Sequence, residues 1–143
     1  MIDYTKGKIY AVKFNDENNA IYIGSTTQNL STRLKCHKYD TCCSLYKYVK
    51  SHYNGDWSKC TINLLDNVEC NCRKELDTIE GTKLKEIANS NNYFIINRSI
   101  AGRTYKEYYQ DNIAKYKKYY KDNAEQKKSY QKTYNAKKRN KSI

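Results

Sequence analysis

Residues 8–37 read KIYAVKFNDENNAIYIGSTTQNLSTRLKCH, and this stretch decides the fold. From Lys8 to Phe14, and again from Ala20 to Gly24, aromatic and β-branched residues dominate, and Asn15-Asp16-Glu17-Asn18-Asn19 between them supplies turn chemistry. The pair is expected to form an antiparallel hairpin. After Gly24 and a Ser/Thr-rich connection, Leu30 to Tyr39 reads as a short helix with Asn29 or Thr27 as its cap. At about 100° per residue, Leu30, Leu34 and His37 share one face and Arg33 lies at its edge. A cation and an imidazole are thus turned toward the core, where a purely structural helix would carry more leucine.

Outward from this stretch the pattern continues. Ser44 to Tyr53 reads as a second helix with Leu45, Tyr48, Val49 and His52 on its apolar side, His52 as a partly buried packing residue. Trp57 to Val68 carries the Cys60, Ile62, Leu64 alternation of a strand. Asn71 to Asn89 forms the longest helix of the globular part, with a stripe of Leu76, Ile79, Leu84 and Ile87 that contains Glu80. A carboxylate there is costly unless it meets a cation, a metal or strong donors. A salt bridge to Lys83 or Arg73 and a metal-binding role both satisfy that requirement. Tyr93 to Ile96 reads as a returning strand ending at Asn97, and Gly102-Arg103 marks the boundary between a domain of residues 1–102 and a tail of residues 103–143.

The formal net charge of +12 and pI near 9.3 favour an acidic partner, nucleic acid first. No long apolar run or signal segment points to a membrane. Six cysteines without a CxxC pair suit neither zinc nor a disulfide framework, and are expected to be reduced thiols in an intracellular compartment. The absence of proline and the wealth of Lys, Asn, Ile and Tyr suggest an AT-rich coding sequence, of viral or mobile-element type.

The tail repeats every eleven residues: YKEYYQDNIAK is followed by YKKYYKDNAEQ and decays into KKSYQKTYNAK. Residues 105–143 hold 12 Lys/Arg against 4 Asp/Glu, a net of +8 and two thirds of the chain's charge. Such a segment is either helical, with Tyr105, Tyr108, Tyr116, Tyr119 and Tyr130 roughly on one side, or disordered. Lys117, Lys118, Lys121, Lys127 and Lys128, with Lys8 of the hairpin, are the lysines expected to neutralise phosphates, and tyrosines to stack on bases.

Tyr10, Tyr22-Ile23-Gly24, Arg33, His37, Glu80 and Asn97, in that order, give residues 6–100 a pattern that resembles the GIY-YIG nuclease superfamily. The first tripeptide here is Lys8-Ile9-Tyr10, so lysine replaces the family's glycine, with Gly7 just before it. The resemblance implies a small α/β domain of the α+β kind, a three-stranded antiparallel sheet flanked by helices. It implies a DNA endonuclease that hydrolyses phosphodiester bonds with one divalent metal, Mg2+ or Mn2+. By analogy Glu80 binds the metal and Arg33 stabilises charge on the phosphate. Tyr10 activates or positions the water with His37 or Tyr22, and Asn97 supports the site by hydrogen bonding. The expected partner is duplex DNA, with dimerisation on DNA as one route to breaking both strands. The alternatives are a non-catalytic nucleic-acid-binding module that has kept the fold, and a tail-mediated assembly protein.

Overall fold

In the computed structural model, strand β1 (Gly7–Phe14) runs antiparallel to β2 (Ala20–Thr26), with Tyr10 opposite Gly24 and Val12 opposite Tyr22. Asn19 closes the turn at φ 50°, a conformation asparagine tolerates. The Asp16 carboxylate of that turn accepts from the Ala20 amide at 3.0 Å and from the hydroxyls of Tyr48 and Tyr53 at 2.8 and 2.7 Å. Strand β3 (Cys60–Val68) pairs antiparallel with the other side of β1. Strand β4 (Phe94–Ile95) pairs parallel with β2, which completes the order β3-β1-β2-β4. The sheet is therefore four-stranded and mixed rather than the three-stranded antiparallel sheet that the resemblance implies. The chain re-enters alongside β2 in the same direction, with the Phe94 amide on Asn19 O and the Ile96 amide on Ile21 O at 3.3 and 2.9 Å.

Strand alternation feeds two cores. Tyr10, Val12 and Phe14 pack with Leu30 and Leu34 of α1 (Leu30–Tyr39) and with Leu45, Tyr48 and Val49 of α2 (Ser44–Tyr53). Ile9 and Ala11 pack on the opposite face with Ile21, Ile23 and the Leu76 and Leu84 of α3 (Arg73–Asn89). Each fully buried Leu or Ile contributes roughly 1.5–3 kcal/mol, and their placement on both faces of β1 fixes its register against a one-residue slip.

Two expectations fail locally. The alternation of β3 stops at Leu64, which is 44% exposed. A bulge explains this: Leu64 faces Tyr10 while Asp66 faces Ile9, so Leu65 is the extra residue, and Leu65 and Val68 turn to the α3 side. His52 is exposed rather than partly buried; it sits in the last turn of α2, stacked on Tyr48 at a centroid distance of 4.1 Å, just before the left-handed Asn54.

The compact first unit runs through Arg103, and a second begins at Thr104. The second unit is helical: α4 (Tyr105–Asp122) starts with a Thr104/Glu107 capping box, and α5 (Ala124–Asn140) follows after Asn123. The structure describes residues 1–140; the tail's positions 141–143 lie outside the described residues. Among those described, no helix is long and apolar enough to cross a membrane.

Candidate active site

The site begins with a glycine. A Cβ on Gly24 would lie 2.6 Å from the ring carbon that bears the Tyr10 hydroxyl, so the glycine of Tyr22-Ile23-Gly24 makes room for the tyrosine opposite it. Tyr10 is wholly buried. Its oxygen accepts from Arg33 Nε at 3.0 Å, and its hydroxyl lies 2.7 Å from His37 Nε2. Arginine can only donate and Nε2 is the one acceptor among the hydroxyl's partners, so the phenol proton points at Nε2 and the imidazole proton sits on Nδ1, which faces Cys43 Sγ at 3.5 Å. The four-residue spacing of Arg33 and His37 on α1 brings both side chains to one phenol.

Burial governs the protonation states. It pushes the Tyr10 phenol up to about 12, although Arg33 pulls the other way. It pushes the His37 imidazole down to about 4, with Arg33 adding to the effect. Tyr22, edge-on to the His37 ring at 5.3 Å, is raised far above its ordinary value, again mainly by burial. Burial disfavours the Arg33 cation, but Tyr10, Tyr22 and Cys36 together outweigh this and the pKa rises. At neutral pH the cluster is one cation, two neutral phenols and a neutral imidazole.

Glu80 approaches from the other face of the sheet. It is 9% exposed, and the Ser25 hydroxyl donates to its Oε2 at 2.6 Å. The salt bridges expected from sequence do not form: Lys83 pairs with Asp66 and Glu86, and Arg73 pairs with Asp77 one turn along α3. Burial raises the Glu80 pKa, and the Ser25 hydrogen bond offsets part of the rise. Beside it, a Cβ on Gly81 would run into the carbonyl oxygen of Ala101, so glycine lets the segment after β4 lie directly against α3.

The two halves meet because β4 is only two residues long. Past Ile21 the outer edge of β2 has no strand beside it, and the Asn97 side chain takes the next place. Its Oδ1 accepts from the Ile23 amide at 2.9 Å and its Nδ2 donates to the Ile23 carbonyl at 2.7 Å. A cleft of about 400 Å³ opens there, lined by Tyr22, Arg33, Glu80 and Asn97, with Asp40 and Arg98. Four of the six sequence-derived site residues thus share one cleft. Tyr10 and His37 lie behind it, linked to it through Arg33.

The lysines behave differently. Lys8 Nζ reaches back to the Lys6 carbonyl at 3.1 Å and does not line the cleft. Lys117, Lys118 and Lys121 are exposed on α4. Lys127 lies over the rings of Tyr119 and Tyr120 at 5.1 and 4.2 Å, and Lys128 pairs with Glu125 at 3.0 Å. Sequence reasoning missed Ser25, Asp40, Cys43 and Arg98. Ser25 had a signal, since strand alternation turns it away from Tyr22 and Gly24 toward α3, whereas loop positions such as Cys43 carry none.

Among the described residues no group of three or more His, Cys, Asp or Glu gathers to hold a metal. Glu80 in the cleft offers one buried carboxylate. That suits an ion such as Mg2+, which keeps several waters and takes one or two carboxylates together with substrate phosphates. Compared with protein-family models, curated proteins and solved structures, the chain matches none.

Proposed function

We propose that the first unit is a GIY-YIG-type endonuclease domain that hydrolyses DNA phosphodiester bonds. The observation that carries the reading is the convergence of Arg33, Tyr22, Glu80 and Asn97 on one cleft, with Arg33 braced from behind by the buried Tyr10–His37 pair. Phosphodiester hydrolysis needs compensation of charge on the phosphate, a positioned water and a hard oxygen ligand. Tyr10 holds Arg33 through Nε, which orients the rest of the planar fork for a phosphate in the cleft. Neutral His37 accepts the hydrogen bond of the Tyr10 hydroxyl and so fixes which phenol lone pair meets Arg33.

Tyr22 is the tyrosine that reaches the cleft, and it takes the water-positioning role that sequence gives first to Tyr10. Its raised pKa keeps the O–H as a donor at neutral pH. Glu80 would hold a divalent Mg2+ or Mn2+, which supplies Lewis-acid polarisation of the phosphate and lowers the pKa of nearby water and phenol. Asn97 keeps β2 straight at the cleft, and the tail supplies added affinity for DNA.

The test is supercoiled plasmid incubated with magnesium, with manganese and with chelator. Parent protein is expected to nick or linearise it with metal only. Glu80→Ala is expected to lose on the order of 10²–10³ in rate while still binding. Binding without turnover by the parent protein would leave a non-catalytic module in place of an enzyme.

A further inference from the structure

The eleven-residue repeat of the tail sets two related grooves one repeat apart. On α4, a groove of about 270 Å³ is lined by Tyr108, Asn112, Lys115, Tyr116, Tyr119 and Tyr120. The next, of about 410 Å³, is lined by Tyr119, Asn123, Gln126, Lys127, Tyr130 and Gln131. Adding eleven to every position of the first groove gives every position of the second, and three side chains recur in type: Tyr108, Asn112 and Tyr119 return as Tyr119, Asn123 and Tyr130. Local geometry repeats too: Asn112 Nδ2 donates to the Tyr108 carbonyl, and Asn123 Nδ2 to the Tyr119 carbonyl, both at 2.8 Å.

α4 gives way to α5 at Asn123, whose φ of −103° and ψ of 7° leave the helical region. The Asn123 amide bonds Tyr119 O and the Lys127 amide bonds Asn123 O, each at 3.1 Å, so Asn123 is tied to the helix on either side of it. Within one helix, eleven residues correspond to about 16 Å along the axis. Each groove holds two tyrosines one repeat apart, Tyr108 with Tyr119 and Tyr119 with Tyr130, and Tyr119 is common to both.

We propose that these grooves are successive base-stacking sites for single-stranded nucleic acid, each taking unpaired bases on its tyrosine rings while neighbouring lysines neutralise phosphates. Tyr108, Tyr119, Tyr120 and Tyr130 are exposed, at 43%, 55%, 57% and 72%, and Lys127 sits over the Tyr119 and Tyr120 rings, which sets a cation beside the rings on which a base would stack. Aromatic faces with cationic rims are what sequence-tolerant binding of unpaired bases requires. A second copy of the tail is the poorer occupant. Two segments of net +8 repel, and between Tyr105 and Asn140 the only aliphatic side chain larger than alanine is Ile113, too little for a helical seam. A closed duplex offers phosphates to the lysines but no base faces to the rings.

This goes beyond the nuclease assignment and is tested separately, by fluorescence anisotropy of the full chain in chelator. The probes are a labelled single-stranded oligonucleotide and a duplex of equal length. The single strand is expected to bind more tightly than the duplex. Tyr119→Ala, which opens both grooves, is expected to weaken it about tenfold or more with the salt dependence unchanged, since no lysine is lost. Tyr119→Phe is expected to bind like the parent, and so is Tyr134→Ala, whose exposed ring lines neither groove. Alanine favours helix, so loss of α4 cannot mimic the effect.

Duplex preference, equal behaviour of Tyr119→Ala and Tyr134→Ala, or Tyr119-dependent self-association without nucleic acid would each overturn the proposal. If plasmid is cut and Tyr119 is inert, only this inference fails. If Tyr119 matters and no metal-dependent cutting occurs, only the nuclease reading fails.

Discussion

The first unit and the tail are both rich in tyrosine, and they put it to opposite uses. In residues 1–103 Tyr10 is completely buried, its hydroxyl held between Arg33 and His37, and Tyr22 stands half-buried at the mouth of the cleft. In α4 and α5 no residue is buried, and Tyr105, Tyr108, Tyr109, Tyr119, Tyr120, Tyr130 and Tyr134 all expose their rings. Burial perturbs the phenol and fixes its geometry, which suits chemistry on a single phosphate. Exposure leaves the ring within reach of a ligand, which suits reversible stacking on many bases. The difference is one of environment, not of residue type.

The largest expected effect belongs to the buried cluster. His37 has an ordinary value of 6.5 and is held at about 4 in the folded protein. Below pH 6.5 the unfolded chain binds a proton that the folded chain refuses. The stability is thus complete above about pH 6.5 and is lost as pH falls toward 4, by about 3 kcal/mol over the window. Glu80, with its pKa raised, opposes this in part, because it protonates more readily in the folded state. Urea midpoints at pH 7 and pH 4.5 should show the loss in the parent and a smaller one in His37→Gln. The same slope should survive removal of the tail. Parallel curves for parent and His37→Gln would mean that the imidazole is not held neutral by its surroundings.

Removing the tail after Arg103 tests the converse. All the residues of both cores belong to the first unit, so its unfolding midpoint should be unchanged. Affinity for nucleic acid should fall about a hundredfold at low salt, and the salt dependence should flatten, because the truncation removes a net +8. A truncated chain that binds as tightly as the parent would move the nucleic-acid contact to the first unit and remove the division of labour.

Much of this was legible in the sequence wherever a period met a chemical oddity. The hairpin, α1 and α2 follow from alternation and helical spacing. Arg33, His37 and Glu80 stood out because polar groups sat where apolar ones belong. The bulge at Leu65 was not legible, since its only local sign is two adjacent leucines and the offset comes from pairing with β1. The fate of Glu80 was not legible either: its partner Ser25 lies 55 residues away, on the strand face that points away from the tyrosines. Nor could any local pattern reveal that Tyr10 stands behind the cleft and Tyr22 in it, because that depends on where β4 stops.

The smallest effect probes what holds the tail helical at all. Without buried residues, α4 draws its stability from local terms: helix propensity, the capping box, and ladders such as Asn112 to Tyr108. In the box, Glu107 N donates to Thr104 Oγ1 at 3.2 Å, while the Thr104 amide and hydroxyl both reach Glu107 Oε2 at 2.8 Å. Thr104→Ala removes the side-chain half of this at about 1 kcal/mol. In a packed domain a loss of that size would appear as a lower unfolding midpoint. Here it should appear as fraying of the first turns, a drop in helical circular dichroism with the midpoint of the first unit unmoved. A shifted midpoint instead would mean that the first unit senses the start of α4, and the two uses of tyrosine would then belong to one cooperative structure.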